Sequence, residues 1–122
     1  MITHLDRDLP WRGFAIPQSA PEVSLAALHA DPASGSFLVL VRFPEGWARP
    51  GRGHYTCDEE FVVLQGEIEV SGTVFRAGAR GWFPAGRERS DSRSTSGAIA
   101  LAWFSGPAVW VTGSEPDPRR PA

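Results

Sequence analysis

The sequence contains no lysine, since all twelve of its basic residues are arginine. Fourteen acidic residues outnumber them, which leaves a formal net charge of −2 over 122 residues. A chain with this balance has no overall positive field to attract a nucleic-acid backbone. We therefore expect no nucleic-acid partner.

Cysteine is almost absent as well. Cys57 is the only one, so an internal disulfide is excluded and a reducing compartment is favoured. No run of apolar residues approaches the length of a membrane span, and residues 1–10 mix charges with few apolar side chains, unlike a signal peptide. These features predict a soluble cytoplasmic protein with no membrane partner.

Convincing amphipathic helices are also missing. Thirteen glycines and eleven prolines instead separate short segments in which apolar residues alternate, a pattern typical of an all-β sandwich or barrel with minimal helix. We expect one domain in three parts: residues 1–22 as an extended arm packed on the barrel, 23–112 as the barrel, and 113–122 as a flexible tail. Residues 44–53, which include Arg49, and the polar run 87–96 are interpreted as connecting loops, although Arg89 is also a candidate to point inward.

Two motifs stand out within this pattern. The first runs from Gly53 to Gly66 and reads GHYTCDEEFVVLQG. The second places Gly78, Pro84 and Gly86 at the turns around a short strand, where glycine permits positive φ and proline fixes a turn.

These motifs resemble the cupin superfamily of jelly-roll β-barrels, especially the small single-domain cupins similar to the ChrR-type domain of an anti-sigma factor. Cupins carry His-x-His, then Glu, then Gly in the first motif, and Gly-x5-Pro-x-Gly-x2-His-x3-Asn in the second. The resemblance implies a barrel that holds a divalent metal, and cupin barrels often pair, so we expect a homodimer.

The departures from the cupin pattern fall on the metal ligands. His54 matches the first histidine, but Thr56 stands at the second, Arg89 at the third and Arg93 at the asparagine. A guanidinium has no lone pair to donate, so Arg89 would repel a cation rather than bind it. We favour no metal cofactor; if Fe, Ni, Mn or Zn is bound, His54 would hold it with Glu60 or Glu59.

The glutamate of the first motif is ambiguous. The spacing back to the histidines selects Glu60, whereas the spacing forward to Gly66 selects Glu59. Because residues 54, 56 and 60 would share a strand face, we expect Glu60 to point inward. Arg89 is then predicted to pair with Glu60 or with a ligand carboxylate, and the candidate ligand-binding residues are His54, Thr56, Glu60, Trp82, Arg89 and Trp103.

Three functions remain open from the sequence. The favoured one is a barrel that binds a small, possibly anionic organic molecule with its metal site largely lost. The alternative is an enzyme, either a divalent-metal dioxygenase or isomerase, or a metal-free lyase, isomerase or cyclase using His54 and Glu60 as base and acid. The third is a protein-interaction module with a packed barrel.

Overall fold

The computed structural model describes residues 9–113, which form ten β-strands and no helix. The predicted all-β jelly-roll barrel is therefore confirmed, and no helix of this part of the chain could cross a membrane. The strands are β1 (Arg12–Phe14), β2 (Val23–Ala30), β3 (Phe37–Phe43), β4 (Trp47–Tyr55), β5 (Glu59–Val70), β6 (Thr73–Arg76), β7 (Arg80–Phe83), β8 (Arg89–Ser94), β9 (Ala98–Phe104) and β10 (Trp110–Thr112).

All strand pairs are antiparallel, and β5 joins the two halves of the barrel. Its first part pairs with β7 and β9, and its last four residues, 67–70, pair with β6 and β8. Beyond these, β9 continues through β3 and β2 to β1, while β8 continues through β4 to β10. Strand β5 is therefore the element that connects both walls of the interior.

The core lies between these walls and follows the strand period of two. In β9, Ala98, Ala100, Ala102 and Phe104 are buried while the residues between them are more exposed. Beside them in the same sheet, Phe61 of β5 stacks on Phe83 of β7 with ring centroids 6.0 Å apart. The small alanines leave space in the middle of the barrel.

The predicted arm is described from residue 9 onward. Its segment Ile16–Ala20 is attached to β4: Ala20 bridges Ala48, and the Trp47 indole Nε1 donates to Ser19 Oγ at 3.1 Å. Ile16 packs against the core. Residues 1–8 of the arm and 114–122 of the tail lie outside the described residues, so the predicted boundaries remain a proposal there.

One predicted loop is wrong. Residues 89–94 form β8, which pairs with β4 and β5 and buries Arg89, Ser92 and Ser94. Likewise, most of the predicted loop before Gly53 belongs to β4. The inward polar residues of β8 find acceptors on β5: Ser94 Oγ donates to the Glu67 carbonyl at 2.7 Å, and Arg89 donates to Glu59.

Candidate ligand-binding site

The centre of the barrel holds a buried ion pair. The Arg89 guanidinium of β8 donates through one terminal nitrogen to Glu59 Oε1 of β5, and the two residues are only 6% and 8% exposed. Arg89 also lies 4.3 Å from the Phe83 ring centroid and 4.9 Å from that of Tyr55. The guanidinium is thus held by one carboxylate and two aromatic faces.

The partner of Arg89 is Glu59, not Glu60 as the strand parity suggested. Glu60 points outward, where its Oε2 accepts from Arg80 Nε at 3.0 Å on the barrel surface. Parity states which residues share a face, but it does not state which face is buried. The spacing forward to Gly66 selected the inward glutamate correctly.

The other predicted site residues of the first motif are also displaced by one position from the residues that face inward. Tyr55 is buried, whereas Thr56 is exposed and His54 is only half-buried. Counting back from Glu59 by the cupin spacing places the two histidine positions at Gly53 and Tyr55. His54, Thr56 and Glu60 therefore do not line the interior, and Trp82 and Trp103 are outward-facing and 46% and 39% exposed.

Gly53 lies opposite Arg89 in the register of β4 and β8, and its missing side chain leaves room on the inner face. The indole ring of Trp110 takes part of this room, and a Cβ at Gly53 would collide with it. A histidine at this position would require the indole to move.

Tyr55 connects the ion pair to a second buried arginine. Its hydroxyl accepts from the Arg49 terminal nitrogen at 2.9 Å, and the Arg49 guanidinium stacks 3.8 Å from the Trp110 ring centroid. Arg49 also donates from Nε to the Pro17 carbonyl of the arm at 3.2 Å. Sequence reasoning missed this residue because it was assigned to a loop.

A cavity of about 70 Å³ lies beside these groups, well above the roughly 10–15 Å³ that a single water needs. Its wall is mostly apolar and includes Ile16 of the arm, while its polar side chains are few. The residues that line it are Ile16, Val41, Phe43, Trp47, Tyr55, Glu59, Phe61, Ile68, Val70, Arg89, Ser92, Ala100, Ala102 and Phe104. The barrel interior is therefore not completely filled.

The side chains at the cupin ligand positions do not fit a metal ion. Gly53 offers no donor atom, Arg89 carries a permanent positive charge, and Glu59 is already engaged by that charge. Across residues 9–113, no three His, Cys, Asp or Glu side chains are grouped closely enough to share an ion. His54 and Cys57 do not form a metal site together either. Cys57 is buried in the core, whereas His54 is half-buried and does not line the interior.

The model of one protein family, the ChrR cupin-like domain, matches residues 2–108. The chain belongs to this family. No functionally curated sequence matches this cupin.

Three solved structures share its fold. An acetylacetone dioxygenase from Acinetobacter johnsonii has a TM-score of 0.73 at 18% identity, over 88% of this chain and 74% of that one. A predicted oxalate decarboxylase from Thermotoga maritima has a TM-score of 0.69 at 18% identity, over 86% and 98%. A chain of the SigE complex with the anti-sigma ChrR from Rhodobacter sphaeroides has a TM-score of 0.62 at 23% identity, over 80% and 50%.

We expect the barrel to be strongly destabilised when only one partner of the buried Arg89–Glu59 pair is removed. Arg89→Met leaves a buried carboxylate unpaired and should lower the free energy of unfolding by about 3–5 kcal/mol, while Arg89→Met with Glu59→Leu should recover most of that loss. Urea denaturation measures both. The matched control is the exposed Arg80–Glu60 pair, where either substitution should cost less than about 1 kcal/mol; a similarly small cost for Arg89→Met would contradict the assignment.

Because Tyr55 is buried, we expect the protein to lose stability at alkaline pH. Burial raises the pKa of its hydroxyl above 10.0, against the opposing effect of the Arg49 charge. The unfolded chain therefore loses this proton first, and the free energy of unfolding should fall as the pH rises above 10.0. Because Tyr55 is the only tyrosine, tyrosinate absorbance follows it directly.

The control for this experiment is a Cys57→Ala background. Burial also raises the pKa of the Cys57 thiol, so this group too lowers the free energy of unfolding as the pH rises. In that background, Tyr55→Phe should remove the alkaline fall. A tyrosine that ionises at its ordinary pKa in the folded protein would contradict the buried position.

Proposed function

We propose that this cupin binds a small organic molecule in the barrel cavity and that Arg89 replaces the positive charge of the family's metal. The observation that carries the proposal is the buried Arg89–Glu59 pair beside a mostly apolar cavity. Sites for small molecules combine apolar walls with a few converging polar groups. Here the polar groups are Arg89, Glu59, Tyr55 and Ser92.

The enzyme alternatives receive less support. A metal-free reaction with His54 and Glu60 as base and acid needs both groups at one substrate, yet neither lines the cavity. A metal-dependent reaction needs ligands at positions that Gly53 and Arg89 occupy. The dioxygenase and decarboxylase neighbours support a shared fold, which by itself carries no activity.

A cavity-filling substitution tests the proposal. Ala102→Leu places a larger side chain in the cavity wall, so any small molecule that binds there should be lost. We would screen a fragment library by ligand-observed NMR against the wild-type protein and this variant. Ala77→Leu, on an exposed turn, is the control and should bind as the wild type does.

Hits that persist in Ala102→Leu would place binding outside the barrel and contradict the proposal. An absence of hits on the wild type would favour the packed interaction module instead. Ala100→Val, a smaller change in the same wall, gives a second test if Ala102→Leu does not fold.

The proposal includes a cytoplasmic homodimer. A reducing compartment suits the single Cys57 thiol. Trp82 and Trp103 flank Glu60 in the register of β7, β5 and β9, and Leu64 is exposed nearby on the same strand as Glu60. With Arg80 beside Glu60, this face also carries one charge of each sign, which two copies related by a two-fold axis can pair reciprocally.

Multi-angle light scattering tests the dimer. Trp103→Glu introduces a negative charge on this outer face and should convert a dimer into a monomer. Val74→Glu, an equally exposed apolar position on β6, should leave the mass unchanged. A wild-type protein that is monomeric at all concentrations would reject this part of the proposal.

A further inference from the structure

The buried charges around the cavity do not balance. Arg89 is neutralised by Glu59, but Arg49, which is 4% exposed, has no carboxylate within ion-pair distance among residues 9–113. Its partners are neutral: the Pro17 carbonyl, the Tyr55 hydroxyl and the Trp110 ring. The cluster of Arg49, Arg89 and Glu59 therefore carries a net charge of about +1 in a largely desolvated place.

The same cluster also has unused hydrogen-bond donors. Arg89 Nε is fully buried and has no partner, which is unfavourable for a charged group. The Tyr55 hydroxyl accepts from Arg49, so its own proton is free to be donated, and Tyr55 lines the cavity. Tyr55 and Arg89 thus line the cavity, and the excess positive charge of Arg49 lies behind the wall, one hydrogen bond away through Tyr55.

We propose that the cavity ligand is a small monocarboxylate with a short apolar body. This inference rests on the proposed function and adds its substrate class. A single carboxylate would neutralise the net charge and accept hydrogen bonds from Tyr55 and Arg89, while the apolar wall would cover the rest of the molecule. A dianion would leave an unbalanced negative charge, and a neutral molecule would leave the positive charge uncompensated.

The size of the cavity limits the ligand. About 70 Å³ accommodates a body of only a few heavy atoms without movement of the arm. Inorganic monoanions such as chloride offer the charge but cannot use the apolar wall. Short-chain acids satisfy both requirements, whereas an aromatic acid such as benzoate exceeds this volume and marks the upper size limit of the series tested.

The test compares each acid with its uncharged analogue. Monocarboxylates from acetate to benzoate, each paired with its primary amide, and sodium chloride are titrated into the full-length protein by isothermal calorimetry. We expect the best acid to bind about tenfold or more tightly than its amide, and chloride to bind more weakly than that acid. Arg49→Gln should bring the acid-to-amide ratio close to one.

The control for this variant is Arg93→Gln, an exposed arginine of β8 paired with Glu69, which should keep the wild-type ratio. Equal binding of acid and amide to the wild-type protein would overturn the charge inference and leave the proposed function standing. Binding of chloride as tight as the best acid would show a simple anion site and overturn the monocarboxylate assignment. An absence of binding by every acid and amide would overturn the monocarboxylate inference, while the fragment screen would still decide the cavity proposal.

Arg49→Gln could fail to fold, because Arg49 also holds the arm. Tyr55→Phe then provides an independent variant, since it removes the proton donor at the cavity wall. It should lower the affinity for the best acid about tenfold and lower the affinity for the matching amide less. An unchanged acid affinity would overturn the role assigned to the hydroxyl.

Discussion

The buried Arg89–Glu59 ion pair is the constraint on which the interior of the barrel depends. Removing a guanidinium from water is costly unless its charge is compensated and its faces are covered. Glu59 supplies the charge, and Phe83 and Tyr55 cover the faces. Gly53 opposite Arg89 has to remain without a side chain, because Trp110 packs into the space beside it. Gly53 and Arg89, the residues that depart from the cupin ligand pattern, thus belong to one packed arrangement around the ion pair.

The turns that connect the strands could be predicted from the sequence, because glycine and proline determine the backbone conformation locally. Gly86 follows Pro84 at the predicted turn, and its N–H donates to the Tyr55 carbonyl at 3.0 Å, so the second motif directly supports the strand that carries the site. The orientation of the first motif was not accessible in the same way. A period of two groups Tyr55 with Glu59 and His54 with Glu60, but only tertiary packing decides which group is buried.

Strand β8 could not be recognised from its sequence, RSDSRS, because strand propensity favours apolar and β-branched residues. It forms where β4 and β5 offer backbone partners, and its inward residues are small or paired. Ser94 bonds a carbonyl of β5, and Arg89 meets Glu59. The local pattern predicted a loop because the interactions that stabilise this strand come from residues distant in the chain.

Arg49 extends the influence of the ion pair to the barrel mouth. It contacts Tyr55 on one side and Pro17 of the arm on the other, while Gln18 of the same arm accepts from Trp110 Nε1 at 3.1 Å. A carboxylate that binds at Tyr55 interacts with the charge that also holds the arm. By linkage, a ligand that stabilises this position of Arg49 also stabilises the attached position of the arm. A variant that releases the arm then lowers the affinity for the ligand. Under the proposed function, binding in the cavity and attachment of the arm are therefore coupled through Arg49.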